Sequence, residues 1–353
     1  MNKVLKKQSS RKMDSSSLNI LYVGSLGGTT QHRADALRRL GHNVTHVSPY
    51  TDLPKYWAIW LHKFGGWGID WLVCKSLKKQ LQNNKFDLIH VDNGDVIGPL
   101  SIKYLKTLAP KITNYNADNP FHFPSIEGFR WRLYRQAARH YDLVAAIRRV
   151  DLEKQMRTLG INNPLLVWQC ADEVIHQPCS LEESELTTWE TDIIFAGAWM
   201  PGRGEFLVEL VRSGFNIKIY GNRWERSNFY KELEPAIQFK FLDKEEYSRA
   251  ISAAKIAIVL LNGKNFDLHT KRSVEIPSIG TAMCAPRTIY HEELYSDQEV
   301  MLFDDVSECV EKCKYLIENP TVRENMVKKA KERTYKNRTY NEYLFQDIFN
   351  NLR

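Results

Sequence analysis

No run of about 18 apolar residues occurs in these 353 residues, so no membrane-spanning helix is expected. The nearest approach, residues 57–73 (WAIWLHKFGGWGIDWLV), is interrupted by His62, Lys63 and Asp70 and broken by Gly65 and Gly66. Cysteine is scarce and scattered. Cys74, Cys170, Cys179, Cys284, Cys309 and Cys313 include no CxxC pair, which removes the usual zinc and redox signatures. Cys309 and Cys313, four apart, read as core packing on one helix face. Unpaired usage of this kind fits a reducing compartment, so a cytoplasmic location is expected. Neither GxGxxG nor GxxxxGK[ST] is present, and dinucleotide-dehydrogenase and P-loop readings lose support. Charge of one sign is also in short supply. Lys plus Arg number 49 against 42 Asp plus Glu, a net +7. Much of the excess lies in residues 1–18, where Lys3, Lys6, Lys7, Arg11 and Lys12 oppose Asp14. The rest of the chain is only mildly basic, and nucleic acid is not a favoured partner. Residues 1–17 have no apolar core of a secretory signal and read as a disordered basic tail.

What remains is an ordinary folded composition, 43% hydrophobic and 26% charged. At roughly 100–200 residues per domain, the length suggests two or three domains. Short β-branched runs alternate with helical stretches. Strands are expected at 19–23, 43–47, 87–91, 111–115 and 142–147, then at 192–196, 216–220, 237–242, 256–261, 281–284 and 299–303. Runs buried on both faces and separated by helices argue for parallel, doubly wound sheets. One sheet of all these strands would be unusually wide, so an α/β architecture of two Rossmann-like domains facing a cleft is expected. The expected boundaries are 18–178 and 186–338, joined by a polar, acidic segment carrying Pro178. In the last segment, 339–353, Leu344, Ile348 and Leu352 recur at helical spacing. An amphipathic helix with that stripe can dock back on the first domain.

Ligands of such sheets bind beyond the carboxyl ends of the strands. Four strand-end segments therefore stand out. Residues 24–30 (GSLGGTT), with Gly27, Gly28 and Thr29, open a helix whose N-terminus favours anions, although a tight turn needs the same glycines. Asp118 follows the fourth strand and can act as general base toward an acceptor hydroxyl, or serve as a turn residue before Asn119-Pro120. Gly197 opens the loop GAWMPGRGE, in which Arg203 can hold a diphosphate bidentately or remain a solvated surface Arg. The block DLHTKRSVEIP, residues 267–277, is the sharpest. Lys271 and Arg272 suit phosphate oxygens, and Glu275 suits ribose hydroxyls; the alternative is a charged helix start.

Taken together, the two halves, the loop GAWMPGRGE and the block DLHTKRSVEIPSIGTAMCAP resemble GT-B glycosyltransferases. The resemblance is closest to the group-1 branch that includes spore-maturation-type (CgeB-like) proteins, and covers about residues 18–350. In that family an E-x7-E motif contacts the donor, and its second Glu binds the ribose. Here Glu275 matches the second position and Asp267 replaces the first Glu. A second resemblance is to phage DNA β-glucosyltransferases, through Asp118, Arg203, Tyr220-Gly221-Asn222 and Arg272-Ser273-Val274-Glu275. There the Asp is the base and the Arg pair holds the diphosphate. The two resemblances leave retaining and inverting outcomes open.

The resemblance implies a transferase that takes a sugar from a nucleotide-diphosphate donor, a UDP-sugar by default, with Gly197 and Gly221 shaping the donor loop. No tightly bound cofactor is implied. No DxD pair follows a strand, and no metal is expected. The implied acceptor is a glycan, lipid-linked or conjugate hydroxyl. Trp57, Trp60, Trp67 and Trp71, with a basic stretch at Arg130, Arg132, Arg135 and Arg139, read as helix packing with a solvated basic face. They suit peripheral contact with a membrane as well. A DNA-base glycosyltransferase and a catalytically silent nucleotide-sugar-binding or coat-assembly protein are the competing functions.

Overall fold

The computed structural model describes residues 17–121, 128–238, 242–263 and 267–352. The basic tail read at 1–17 lies outside the described residues except for Ser17. Two parallel sheets carry the chain. The first contains β1 (Asn19–Val23), β2 (Asn43–Val47), β3 (Leu88–Asp92), β4 (Ile112–Asn116), β5 (Leu143–Ile147) and β6 (Pro164–Val167), in the order β2-β1-β3-β4-β5-β6. The second contains β7 (Thr191–Ala196), β8 (Ile217–Tyr220), β9 (Ala254–Ile258), β10 (Ala282–Pro286) and β11 (Met301–Phe303), in the order β11-β10-β9-β7-β8. Every position of β3, β4 and β5 is buried, which explains their near-continuous apolar character. Each sheet has a hydrophobic cluster on both faces, covered by the crossover helices.

Winding reverses at the same place in both sheets, between β1 and β3 and between β7 and β9. Strands diverge from such a switch point, leaving a crevice at their carboxyl ends. The two crevices face each other and form the cleft described below.

Two strand expectations need correction. Residues 237–242 form no strand among the described residues; Ile237 makes a single bridge to Ile219, and residues 239–241 lie outside the description. The next strand runs 254–258 rather than 256–261, because the chain turns into the cleft after Ile258. Conversely β6 (PLLV), too short and too Pro-marked to read as a strand, pairs with β5.

The last helix, Asn341–Asn351, buries Leu344, Phe345 and Ile348 against Ile20, Tyr22 and Leu37 of the first sheet's outer layer. Ala171 bridges Tyr340 at its start, and Arg39 fixes it by pairing with Glu342 at 2.7 Å, Glu173 at 2.7 Å and Asp172 at 3.0 Å. The Trp-rich stretch divides into helices Trp57–Phe64 and Ile69–Leu81, separated by Gly65, Gly66 and Gly68 at positive φ. No described helix is long and apolar enough to cross a membrane. Cys284, Cys309 and Cys313 are buried in the second core, and all six cysteines are free.

Candidate functional site

The cleft has two adjoining chambers of about 490 and 520 Å³, which share Thr29, Ala196, Gly197 and Arg272. Its second-domain wall is built from two backbone loops in close contact. Gly221 has φ +134°, and a Cβ there would lie 2.3 Å from the Gly197 carbonyl oxygen. Only glycine allows the two strand-end loops to pack this closely. Gly202, at φ +87°, turns the chain so that Arg203 begins the helix Arg203–Arg212. The Arg203 guanidinium donates to the carbonyls of Ala198 at 2.8 Å and Leu260 at 3.1 Å and lines the first chamber. It is therefore a fixed cation at the ends of β7 and β9, and not a solvated surface Arg.

The block 267–277 supplies the charged floor. Ser273 accepts the Thr270 N–H at 3.0 Å and pairs with His291 Nε2 at 2.7 Å, which pins the start of the helix Arg272–Ile279. Arg272 then donates Nε to the Ala196 carbonyl at 3.1 Å, donates Nη1 to Glu275 Oε2, and stacks 4.3 Å over the Tyr247 ring. Glu275 is only 1% exposed. Burial alone would raise its pKa, but Arg272, with His176 and Lys271, holds it down at about 2. Its Oε1 faces His176 Nε2 at 3.6 Å, too long for a hydrogen bond, and Tyr247 lies on the same side. Glu275 lines the second chamber with Tyr247, Gly221 and Asn222. Lys271 points the other way. Its Nζ donates to Thr29 Oγ1 at 2.9 Å across the cleft, and burial, aided by Arg33, lowers its pKa to about 8.

Two carboxylates enter the first chamber from opposite sides, tied by Arg149. This Arg donates to the main-chain carbonyl of Asp118 at 3.1 Å and to Asp267 Oδ1 at 3.1 Å. Burial raises the Asp267 pKa and Arg149 offsets part of that rise. The Asp118 side chain stays 34% exposed, with Arg130 Nη2 at 3.5 Å. The Asn116 side chain accepts the Asp118 N–H at 2.8 Å, so the turn is stabilised by Asn116 and not by the Asp118 carboxylate. The site residues read from sequence mostly converge: Asp118, Arg203, Gly197, Asp267, Lys271, Arg272 and Thr29 line the first chamber, and Gly28, Gly221 and Glu275 the second. Gly27 is the N-cap of the helix Gly28–Arg39 and lines neither chamber. The basic stretch is also less free than its composition suggests. Trp131 and Tyr134 are buried, and Arg135 donates to the Pro120 carbonyl at 3.2 Å.

Sequence reasoning missed a buried group on the first-domain wall. Arg33 pairs with Asp92 through bonds of 2.7 and 3.0 Å, and the Tyr22 hydroxyl donates to the same carboxylate. Both charged residues line the first chamber. A usable signal was Asp92 at the end of β3, beside the switch point. Nothing local pointed to its partner, 59 residues earlier. His176 and Tyr247 beside Glu275 were missed for the same reason. Among the described residues, no group of three His, Cys, Asp or Glu is placed to hold a metal ion.

Comparison with known proteins matches each half of the chain to a sugar-transfer family. Residues 28–171 match the model described as Glycosyltransferase Family 4, and residues 203–346 the model described as Glycosyl transferase-like. The chain is a GT-B glycosyltransferase. The fold agrees with solved structures across nearly the whole chain. Sucrose-phosphate synthase from Thermosynechococcus elongatus superposes with a TM-score of 0.67 at 13% identity, covering 94% of this chain and 98% of that one. HepE from Anabaena, solved in complex with UDP-glucose, gives 0.67 at 12% identity, covering 95% and 99%. The α,α-trehalose 6-phosphate synthase from Burkholderia multivorans gives 0.62 at 11% identity, covering 96% and 98%. At these identities the likeness concerns the fold. A search among curated proteins found no match.

Proposed function

We propose that this glycosyltransferase moves a sugar from a nucleotide-diphosphate donor, UDP-linked by default, to a hydroxyl of a glycan, lipid-linked or conjugate acceptor in surface-polysaccharide or similar glycoconjugate synthesis. The observation that carries the reading is the Arg272–Glu275 pair with its buried carboxylate in one chamber, and Arg203 and Lys271 in the next. Glu275 Oε1 accepts the ribose hydroxyls. Arg203, Arg272 and Lys271 meet the diphosphate. The acceptor oxygen attacks the anomeric carbon while the bond from that carbon to the diphosphate oxygen breaks. The nucleoside diphosphate leaves with the bonding electrons, and its growing charge is met by cations already fixed in place. The acceptor proton passes to Asp118, the partly exposed carboxylate on the opposite wall. Asp267, held by Arg149, faces the sugar from the side. HepE's UDP-glucose complex supports a UDP-sugar as the first donor to test.

The placement in the spore-maturation-type branch rests on the block DLHTKRSVE, with Asp267 at the first motif position. The domain division at about residue 180 follows the gap between β6 and β7. We place the reaction in the cytoplasm, a reading supported by the six free cysteines. A panel of nucleotide sugars, screened by thermal stabilisation of wild type and Glu275→Ala, tests the proposal. One donor at about a hundred times its Kd should stabilise wild type by about 2.7 kcal/mol and leave the variant unmoved. Equal stabilisation of both would remove Glu275 from the donor site. Stabilisation without transfer to any acceptor would favour a catalytically silent binding protein.

A further inference from the structure

The first domain carries an apolar surface that the cleft does not use. Tyr56, Ile59, Trp60, Phe64, Trp67 and Trp71 are 46–68% exposed, and the helix Trp57–Phe64 buries only Leu61. The surface continues onto the segment after β4. Arg132 donates to the Gly65 carbonyl at 2.8 Å and stacks 4.6 Å from the Trp67 ring, next to the exposed Phe129. So many large exposed side chains in one place mark an interaction surface, not ordinary scatter.

Charge selects what covers it. Asp70 is the single carboxylate between residues 53 and 86. It is buried and accepts from the N–H groups of Gly98, Leu100 and Ser101, so it is withdrawn from the surface. Lys55, Lys63, Lys75, Lys78 and Lys79 in the same stretch are all exposed. Lys55 lies 5.9 Å from the Tyr56 ring and Lys75 5.6 Å from the Trp71 ring. Rings with one apolar and one polar edge, interleaved with five exposed lysines against one exposed carboxylate at the edge, Asp52, which accepts from Ser76, match the headgroup layer of an anionic bilayer. A protein partner would not require that bias.

We infer that the face formed by Tyr56–Trp71 and Phe129 docks on an anionic phospholipid surface. Phe129 adjoins Arg130, whose guanidinium reaches Asp118 in the cleft. Docking there brings the acceptor side of the cleft to the lipid headgroups, where a lipid-linked acceptor is presented. Only this last use rests on the transfer reading above; the surface is argued from its own residues.

Sedimentation with vesicles tests it, using phosphatidylglycerol-rich and pure phosphatidylcholine vesicles at low and raised salt. Wild type should pellet with the anionic vesicles, with blue-shifted tryptophan emission, and be released by salt. Lys63→Ala should weaken binding about fivefold, the usual effect of one charge near a membrane. The double variant Trp60→Ser, Trp67→Ser should abolish the emission shift. Each variant should keep the wild-type melting temperature and its stabilisation by the nucleotide donor, which separates this test from that of the donor site. Wild type remaining in solution with anionic vesicles at low salt, or variants binding equally well, would overturn the inference. So would a wild-type dimer that the tryptophan variants dissociate and vesicles do not capture, since the face would then cover a second copy.

Discussion

Replacing Glu275 by Gln removes one charge and almost no volume, so its effect isolates the electrostatics of the cleft floor. The carboxylate is 1% exposed, while the Arg272 side chain beside it is 34% exposed. Breaking a buried pair costs about 3–5 kcal/mol, and partial access of water to Arg272 favours the lower end. The depressed carboxyl, held down by the same Arg272, points to the same order. A carboxyl held at about 2 instead of 4.5 contributes about 3 kcal/mol to folding at neutral pH. For a domain of this size that corresponds to a Tm lower by roughly 6–12 °C. The pH dependence fixes the cause. Because the folded-state value lies below the unfolded one, the contribution is complete above about pH 4.5 and is lost as pH falls towards 2. Urea unfolding of wild type and Glu275→Gln between pH 7 and pH 3 is the assay. The gap should be widest at pH 7 and shrink below 4.5. A gap under about 1 kcal/mol at neutral pH, or one that persists unchanged at pH 3, would refute the reasoning.

Other expectations follow from the opposite wall and from Lys271. Asp118→Asn should leave donor affinity nearly intact and lower turnover at least about a hundredfold, the usual range for a general base; unchanged turnover would remove Asp118 from the chemistry. Lys271 holds its proton less tightly in the folded chain, near 8 instead of 10.5, so donor affinity should fall as pH rises through 8. Over the same interval the unfolded chain binds the extra proton, so the stability of the unliganded protein should rise from pH 8 to 10.5. Lys271→Met should flatten both trends, and calorimetric titration together with melts across that range would reveal a failure of either. Asp92→Asn strands the buried Arg33 and should cost about 3–5 kcal/mol in urea unfolding; a loss below about 1 kcal/mol would mean that the pair is not the anchor of this wall.

What could be read in the sequence was what is local. Strand β1 falls where its apolar run stands, because burial on both faces leaves few alternatives, and the edge strand β2 falls where its β-branched residues alternate with polar ones. The Arg272–Glu275 pair was readable because i,i+3 spacing on a helix places the two side chains together whatever the fold. The edges were less readable. β6 has four residues and begins at a proline, and 237–242 carries an apolar pattern that ends in one bridge. Contacts made by folding alone were not readable at all. Arg149 joins Asp118 and Asp267 across 118 residues of chain, and Lys271 meets Thr29 across 242. Each pairs a residue of one sheet's loops with one of the other's, so its chemistry exists only once the two crevices face each other. The bare composition of residues 130–139 misled in the opposite direction. Its arginines look like a solvated basic face, yet Arg130 and Arg132 are committed to Asp118, Asp95 and Gly65.

The central claim is that the second domain's half of the cleft holds a nucleoside diphosphate with its ribose on Glu275. A crystal structure of the wild-type protein soaked with UDP tests it most directly. The ribose hydroxyls should lie within hydrogen-bond distance of Glu275 Oε1, with diphosphate oxygens against Arg203 and Arg272. UDP bound away from these side chains, for instance in the neighbouring cavity lined by Arg149, Asp151 and Gln155, would contradict the account.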